Sequence, residues 1–435
     1  MNVALLAAGA AGMYCGSCMR DNALASALLR AGHKVTLVPL YTPLRTETKD
    51  VSIGNVFFGG VNVYLQHASR LFRHTPRVLD WLFDRPWLLT KAGEYGAQTP
   101  PSELADFTID ILKGDEGTTT KELHRLLNFL KTDVKPQIIS LPNLMFIGMA
   151  RMLGQELNCP VVMELTGEDI FLDRMDEADR ATVRDLIRSR VAHVQKFVAT
   201  SRYYAAHMAD YLGLPAEQVA VVYPGIEKDY LTPPPDTARH TRTFNNGHAP
   251  TIGYLARICP QKGLHRLVDA LEHLRQMPGM ERASIRAAGY LGRGDRAWFA
   301  DLQKSIADRG LSTAFTYLGE VDHAAKLDLL NMVDLFSVPA PYAESKGIYV
   351  LEALARGAPV VVPSHGAFPE LIQATDGGAL VPPENPPALA QGMADLLRDP
   401  ARRSHHAASG HAAVRDRFTD DHMAANMLGV YQSLL

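Results

Sequence analysis

Residues 341–360 read PYAESKGIYVLEALARGAPV, and the fold of the second half of the chain can be predicted from this stretch. Apolar residues recur at helical spacing from Ile348 onward, and Gly357 and Pro359 end the predicted helix before an apolar strand that begins at Val360. A loop, a helix and a buried strand in this order are typical of parallel sheets covered by helices. We therefore predict an α/β domain around this stretch.

Two carboxylates stand eight residues apart in the same stretch, Glu344 in the loop and Glu352 about two turns into the helix. The backbone N–H groups of Lys346, Gly347 and Ile348 lie at the helix N-terminus, where unpaired donors and the helix dipole favour an anion. Carboxylates also accept hydrogen bonds from hydroxyl groups. The arrangement predicts a cradle for a sugar joined to a phosphate. Taken singly, the two glutamates also fit an ordinary helix cap and a solvated helix face.

The rest of the second half alternates between strands and helices. Its predicted strands cover residues 251–255, 284–288, 315–318, 335–338 and 360–362. Upstream, the proline-rich, polar residues 232–250 predict a linker. We therefore place a second domain at residues 251–415.

The first half shows the same alternation, beginning with a strand, a glycine-rich loop, a helix and a strand over residues 3–38. The strand pattern returns at residues 137–141, 161–165, 197–200 and 219–222. Residues 41–135 are less regular and indicate an insertion, with a hairpin predicted over 56–64. We predict a first domain at 1–231 and a C-terminal helix within 416–435 that packs back on it. Two doubly wound, Rossmann-like domains of this kind face a central cleft lined by strand C-termini.

The composition is that of an ordinary globular protein, with 47% apolar and 21% charged residues among 435 and a net charge of −3. From this charge we expect no nucleic-acid partner. We expect no membrane-spanning helix, since no apolar run reaches the roughly 20 residues that it needs. The aromatic-rich residues 64–89 leave contact with a membrane surface open beside core packing and acceptor recognition. Four cysteines in so long a chain favour a reducing compartment, so we expect a cytoplasmic location. Residues 3–13 are apolar but lack a basic flank, and we interpret them as a first strand rather than a signal peptide.

A basic loop follows the first strand of the second domain, with Arg257 and Lys262 ahead of a helix predicted over 264–274. Arg257 offers a fork of donors and Lys262 a point charge, a combination that suits a diphosphate. A solvated basic loop is the alternative. Because Glu344 and Glu352 also follow a predicted strand of this domain, we expect the four side chains to share one site.

These residues carry a resemblance to a known family. Residues 253–263 resemble the G-x-L-x-x-x-K-G signature of the retaining GT-B glycosyltransferases of family 4, which include relatives of sucrose-phosphate synthase and bacterial glycogen synthase. Glu344 and Glu352 match the E-x7-E motif of that superfamily, and residues 360–372 and 378–383 resemble its downstream segments. The resemblance is denser in the second domain than in the first.

The resemblance implies a GT-B fold and the transfer of a sugar from a nucleotide sugar, with retention of configuration and without a metal ion. It implies that Arg257 and Lys262 hold the donor diphosphate. It also implies that Glu344 contacts hydroxyls of the donor sugar near the reacting centre and that Glu352 binds the ribose. The further donor contacts that we predict are Ser345, Gly347, Ile348 and Gly12. We expect no cofactor and a UDP-sugar donor, with ADP- and GDP-sugars as alternatives.

Two positions depart from the family pattern. Many relatives carry a histidine in a T-x-H-G-E-D-like context, and this chain has Thr166 in its place, followed by Glu168 and Asp169 after one glycine. Threonine can hydrogen-bond a sugar but cannot relay a proton near neutral pH, so we predict acceptor or sugar contacts from these three residues. The aromatic residue that usually follows E-S is Lys346 here, a cation that lies beside the donor sugar or points to solvent.

The first glycine-rich loop, residues 9–16, is not a G-x-G-x-x-G fingerprint, so a nicotinamide cofactor is not expected. In the family this loop borders the leaving diphosphate and the acceptor, which makes Arg20 and Asp21 on the next helix predicted contacts. Cys15 and Cys18 form a C-x-x-C at the helix start, which leaves redox chemistry, metal binding and simple packing open. We favour packing, because two cysteines alone lack the remaining zinc ligands.

We interpret the chain as a retaining glycosyltransferase that uses a nucleotide sugar and a small-molecule or carbohydrate acceptor. A GT-B phosphorylase or a nucleotide-sugar epimerase is one alternative. A catalytically silent module that binds sugar nucleotides is another, because the histidine is missing. No motif in the chain identifies the base, the sugar, the acceptor or the oligomeric state.

Overall fold

The computed structural model describes residues 1–9, 15–58, 105–232, 240–241, 243–244 and 249–435. The chain divides into two compact units. Unit 1 comprises Met1–Tyr223 and Asp421–Leu435, and unit 2 comprises Pro224–Asp420. Gly12, most of the hairpin predicted over 56–64 and most of the linker predicted over 232–250 lie outside the described residues.

The strands of unit 1 are β1 (Asn2–Ala7), β2 (Lys34–Pro39), β3 (Ile138–Leu141), β4 (Val161–Leu165), β5 (Lys196–Ala199) and β6 (Val219–Val221). Within the described residues they form one parallel sheet in the order β2-β1-β3-β4-β5-β6. Neighbouring residues of β1 pack on opposite faces, with Leu6 in one apolar cluster and Leu5 in the other. Burial on both faces explains why these strands are largely apolar.

The helices that cover this sheet are α1 (Gly16–Arg30), α2 (Ala105–Leu112), α3 (Thr120–Phe129), α4 (Ala150–Leu157), α5 (Asp169–Leu172), α6 (Glu177–Arg190) and α7 (Arg202–Leu212). Helix α1 begins at Gly16, directly after Cys15. Its first helical hydrogen bond runs from the N–H of Met19 to the carbonyl of Cys15, 2.9 Å apart. The turn after the glycine-rich loop is therefore already helical.

The strands of unit 2 are β7 (Thr251–Leu255), β8 (Ser284–Ala288), β9 (Phe315–Tyr317), β10 (Leu335–Phe336), β11 (Val360–Pro363) and β12 (Gly378–Val381). In the part of the chain that the structure describes, they form a second parallel sheet in the order β12-β11-β10-β7-β8-β9. The prediction of two doubly wound α/β domains is confirmed.

The helices of unit 2 are α8 (Leu264–Arg275), α9 (Arg296–Asp308), α10 (His323–Met332), α11 (Ile348–Ala355), α12 (Phe368–Thr375), α13 (Pro386–Arg398) and α14 (Pro400–Arg417). Helix α11 occupies the stretch from which the fold was predicted. It begins after Gly347 and ends before Gly357, and β11 follows at Val360.

The last helix, α15 (Asp420–Gln432), packs on unit 1. Its residues Met423, Met427 and Tyr431 share an apolar cluster with Leu24 and Leu28 of α1. Among the helices of the described residues, none is both long enough and apolar enough to cross a membrane.

Candidate active site

The predicted donor residues follow two neighbouring strands at the centre of the sheet of unit 2. Strands β7 and β10 pair in parallel, and the later strands β8 and β11 lie on opposite sides of this pair. The loops that leave β7 and β10 therefore diverge at the carboxyl edge, where open α/β sheets bind ligands. Arg257 and Lys262 lie in the loop after β7, and Glu344 lies in the loop after β10.

Lys262 and Glu344 form an ion pair at this point. The Nζ atom of Lys262 lies 2.6 Å from Oε2 of Glu344, and Tyr342 and Tyr349 donate hydrogen bonds to the same oxygen at 2.8 and 2.9 Å. Lys262 also contacts the hydroxyl of Tyr342, and its Nζ atom lies 4.9 and 5.2 Å from the centroids of the two tyrosine rings. Glu344 is only 4% exposed, whereas the Lys262 side chain is 21% exposed. The pair is thus buried on the carboxylate side and partly open on the ammonium side.

The surroundings keep Glu344 ionised. Burial raises the pKa of Glu344, but the charge of Lys262 and the hydrogen bonds from Lys262, Tyr342 and Tyr349 bring it down to about 2. Burial and the neighbouring carboxylate raise the pKa of both tyrosines well above its usual range. At neutral pH the site therefore contains an anion held by an ammonium group and two neutral phenols.

Two glycines allow the loops around this pair to approach each other. Gly263 has a φ of +73°, and a Cβ atom there would lie 2.0 Å from the carbonyl oxygen of Pro339. Gly366 has a φ of +61°, and a Cβ atom there would lie 2.4 Å from the backbone nitrogen of Glu344. The next residue, Ala367, donates its N–H to the carbonyl of Glu344 at 2.7 Å. A side chain at either glycine would push the loops apart.

The other predicted donor residues lie around this pair. Ser345 is buried, Lys346 is half-buried, and the backbone nitrogen of Lys346 lies 3.5 Å from Oε1 of Glu344. Gly347 and Ile348 are the N-cap and first residue of α11. Arg257 is exposed, and its Nε donates to the sulfur of Cys259 at 3.3 Å.

Glu352 has a different environment. Its Oε1 accepts hydrogen bonds from the hydroxyl of Tyr230 at 2.8 Å and from Nζ of Lys326 at 3.0 Å. The Lys326 side chain is 5% exposed and that of Glu352 is 8% exposed, so this pair is closed to solvent. The alternative that Glu352 lies on a solvated helix face is therefore wrong.

In unit 1, Glu168 joins two loops at the carboxyl edge of the sheet. It is buried, and its two oxygens accept from the N–H groups of Leu144 at 3.1 Å and Thr166 at 2.6 Å. Burial raises its pKa in spite of these hydrogen bonds. Glu168 therefore connects the loop after β3 to the loop after β4.

Asp169, the next residue, holds an imidazole. Its Oδ2 lies 3.1 Å from Nε2 of His207, and its Oδ1 accepts from the hydroxyl of Tyr204 at 2.6 Å. The ring of His207 stacks on Tyr203 with centroids 5.9 Å apart, and its side chain is 35% exposed. A histidine thus reaches this loop from α7, although Thr166 occupies the position where the family pattern has one.

Arg20 lies in the interior of unit 1. Its Nη1 contacts Oε2 of Glu164 and lies 3.3 Å from Oδ1 of Asp21, and Ser140 donates to the other oxygen of Glu164 at 3.1 Å. The Arg20 side chain is 1% exposed. The predicted ligand contacts of Arg20 and Asp21 do not fit this burial, because the two side chains are enclosed with Glu164 at the end of β4.

Several residues around these sites were missed by sequence reasoning. Tyr342 and Tyr349 could have been predicted as neighbours of Glu344, since they flank it in the same stretch of sequence. Lys326, Tyr230 and His207 could not have been predicted in this way, because they lie in other elements.

One group of three potential metal ligands occurs among the described residues, namely Asp376, His405 and His406. The Nε2 atom of His405 lies 2.7 Å from Oδ2 of Asp376, and Nδ1 of His406 lies 2.6 Å from the Asp376 carbonyl oxygen. Asp376 is the C-cap of α12 and stands just before β12, at the amino edge of the sheet. The imidazoles therefore cap the end of α12, away from the predicted donor site.

Solved structures share this fold along the whole chain. The Anabaena protein Alr3699/HepE, solved in complex with UDP, matches 100% of both chains with a TM-score of 0.68 at 18% identity. Sucrose-phosphate synthase from Thermosynechococcus elongatus matches 99% of this chain and 98% of its own, with a TM-score of 0.71 at 18% identity. The fold is thus that of the GT-B class.

Two protein-family models match this chain and together cover most of it. The model described as "Glycosyl transferase 4-like domain" matches residues 20–225, and the model described as "Glycosyl transferases group 1" matches residues 237–412. The chain belongs to the GT-B glycosyltransferases of the family 4 type, as its sequence motifs predicted.

Curated relatives match part of the chain. The phosphatidyl-myo-inositol mannosyltransferase of Mycobacterium leprae is 32% identical over 212 residues, which are 48% of this chain and 52% of the relative. The D-inositol 3-phosphate glycosyltransferase of Xylanimonas cellulosilytica is 31% identical over 247 residues, which are 55% of this chain and 57% of the relative. The chain therefore spans about half the length of the curated relatives it matches.

Proposed function

We propose that this protein is a glycosyltransferase that moves a sugar from a nucleotide-diphosphate sugar to a hydroxyl of an acceptor, with retention and without a metal ion. The observation that carries the proposal is the Lys262–Glu344 pair at the point where β7 and β10 diverge. A lysine that is partly open to solvent and an ionised, buried glutamate place a positive charge and a hydroxyl acceptor side by side. A sugar diphosphate requires both.

The charge that develops on the donor explains the roles of these residues. As the bond between sugar and diphosphate breaks, negative charge grows on the diphosphate. Lys262, Arg257 and the N–H groups at the start of α11 are donors that stabilise it. Preorganised donors of this kind are worth several kcal/mol. Lys262 has three N–H bonds, so it can bind a phosphate oxygen and still contact Glu344.

Glu344 contributes on the sugar side. Because Tyr342, Tyr349 and Lys262 share its Oε2, its orientation is set before a ligand arrives. We propose that the carboxylate accepts a hydrogen bond from a donor-sugar hydroxyl. The ribose contact that the family resemblance implies for Glu352 stays a prediction, because Glu352 is paired with Lys326 and closed to solvent here. The front-side displacement implied by the family resemblance then needs no residue as a covalent nucleophile.

For the donor base we propose uridine, with guanosine and adenosine as alternatives. Alr3699/HepE was solved with UDP, whereas a relative from Mycobacterium tuberculosis, 28% identical over 234 residues, is named as a GDP-mannose-dependent enzyme. Because both names come from distant relatives, a direct ligand screen is required.

For the acceptor we propose a polyol that binds unit 1 at Asp169 and His207. The half-exposed imidazole beside the ring of Tyr203 offers a hydrogen-bonding group and an aromatic face. The names of the curated relatives point to inositol compounds as acceptors. If the proposal is correct, His207→Gln raises the KM for the acceptor about tenfold. Donor hydrolysis is expected to stay unchanged. His124→Gln, at an exposed position on α3, is the matched control.

A ligand screen followed by a turnover assay tests the function. UDP-, GDP- and ADP-sugars are compared for the rise in melting temperature, since a ligand of the native state stabilises it by mass action. Release of the nucleotide is then measured with and without myo-inositol or D-inositol 3-phosphate, and with and without EDTA. We expect release that depends on the acceptor, persists in EDTA and gives an α-linked product from an α-linked donor.

The alternatives give different results in the same assay. A phosphorylase would form a sugar phosphate from inorganic phosphate, and an epimerase would interconvert sugars without any acceptor. A silent binding module would show the thermal shift without turnover. A β-linked product would contradict retention alone.

A further inference from the structure

Two cysteines at the start of α1 stand in a geometry that the proposed function does not use. Cys15 is the N-cap of α1 and Cys18 is the third helical residue. Side chains at these two positions face each other, as they do in a capping box. The two thiol groups hydrogen-bond to each other, and all four cysteines of the chain are thiols in this structure.

The two thiols differ in access. Cys15 is half-buried at the N-terminus of a 15-residue helix with no acidic residue in its first turn, and such a position favours a thiolate. Cys18 is 2% exposed, and its hydrogen bond with Cys15 and its burial raise its pKa well above the usual range. A half-buried thiol that attacks and a buried partner that follows are the arrangement of a redox-active C-x-x-C.

Packing alone does not explain this pair. Cys18 belongs to an apolar cluster and Cys15 packs against the same cluster, which accounts for the burial of both side chains. Cys15, however, occupies an N-cap, where serine, threonine, aspartate and asparagine are preferred, and its side chain makes no capping hydrogen bond. A metal site is not supported either, because neither cysteine belongs to a group of three potential ligands among the described residues.

We propose that Cys15 and Cys18 form a dithiol–disulfide couple that exchanges with low-molecular-weight disulfides. The Cys15 thiolate attacks one sulfur of a disulfide RSSR, the S–S bond breaks, and RS⁻ leaves and takes up a proton. The Cys18 thiol then loses its proton and attacks the Cys15 sulfur, which expels the second RS⁻. The two cysteines are oxidised to a disulfide and RSSR is reduced to two RSH.

The test equilibrates the full chain with mixtures of reduced and oxidised glutathione and maps its peptides by mass spectrometry without reduction. We expect a Cys15–Cys18 disulfide that disappears again with excess reduced glutathione. We expect Cys18→Ser to accumulate a mixed disulfide with glutathione on Cys15, and Cys15→Ser to leave Cys18 unmodified. Because a polar serine can disturb the buried position, Cys18→Ala serves as a second trap.

The other two cysteines are internal controls. Cys159 and Cys259 are buried, and burial raises the pKa of Cys159 to about 11. In the Cys18 variants, Cys15 is expected to react at least about tenfold faster than Cys159 with oxidised glutathione. The proposal fails if no Cys15–Cys18 disulfide forms at any ratio, if Cys18 reacts before Cys15, or if Cys159 reacts as fast.

Discussion

The two glutamates of the E-x7-E stretch, eight residues apart, each contact a lysine and at least one tyrosine, but their surroundings differ. Glu344 pairs with Lys262, whose side chain is 21% exposed. Glu352 pairs with Lys326, whose side chain is 5% exposed. One pair can receive a ligand on its lysine side, and the other is enclosed by protein.

A lysine–glutamate pair thus has two different roles in this protein, one in ligand binding and one in stability. A buried charge needs a partner, and losing that partner is costly because the charge cannot be rehydrated. The Lys326–Glu352 pair is therefore expected to matter mainly for stability. In the Lys262–Glu344 pair the lysine has access to an incoming phosphate. Removing the Lys262 ammonium group is therefore expected to matter mainly for turnover.

The largest effect is expected for Lys326→Met. The substitution leaves the Glu352 carboxylate buried without its cation, which should lower the free energy of unfolding by about 3–5 kcal/mol. Denaturant unfolding at neutral pH measures it. Adding Glu352→Gln removes the unpaired charge and should recover part of the loss. Lys304→Met, at an exposed position on α9, is the control. If Lys326→Met lowers the free energy of unfolding no more than this control does, the Lys326–Glu352 pair does not have the predicted role in stability.

The Lys262–Glu344 pair is expected to make stability depend on pH in the acid range. The pKa of Glu344 falls from 4.5 to about 2 on folding, so the unfolded chain binds this proton more readily. The stabilisation, roughly 3 kcal/mol, is complete above pH 4.5 and is lost as the pH falls toward 2. Unfolding of the wild type and of Glu344→Gln is compared across this range. Parallel pH curves would contradict the prediction.

Substitutions at the Lys262–Glu344 pair are expected to slow catalysis as well as to destabilise the fold. Glu344→Gln and Lys262→Ala should each lower turnover about a hundredfold or more, because each removes a charge that acts on the donor. The rate of nucleotide release measures turnover, and Lys304→Ala is the matched control for Lys262→Ala. Wild-type rates in both variants would show that Lys262 and Glu344 do not act in catalysis.

The smallest effect is expected from Tyr349→Phe. It deletes one hydrogen bond to a charged group, the 2.9 Å contact with Glu344, and leaves Lys262 and Tyr342 in place. We expect turnover to fall about tenfold, near the lower limit for such a bond. The pKa of Glu344 should rise, which the acid unfolding curve reports. An unchanged rate would show that the remaining contacts hold Glu344 without Tyr349.

Much of unit 2 could be predicted from the sequence because its signals are local. The periodicity of α11, the stop at Gly357 and the strand at Val360 all lie within one stretch. The loops with Lys262 and Glu344 could be placed at a strand end for the same reason. Their shared site is consistent with the neighbouring positions of β7 and β10.

Unit 1 was predicted less completely. The strands were found, but the ion pair of Arg20 with Glu164 and the contact of His207 with Asp169 join residues 144 and 38 positions apart. A residue type alone does not tell whether a charge faces a ligand or a buried partner. That choice depends on packing between elements.

The sequence by itself determined the parallel α/β units, the family and the two glutamates, because helical periodicity, turn residues and motif spacing act over a few residues. The tertiary structure decided which lysine and tyrosine each glutamate meets, since Lys262 lies 82 residues from Glu344, and Tyr230 lies 122 from Glu352. Electrostatic energies depend on distance and burial, which only the packed structure sets.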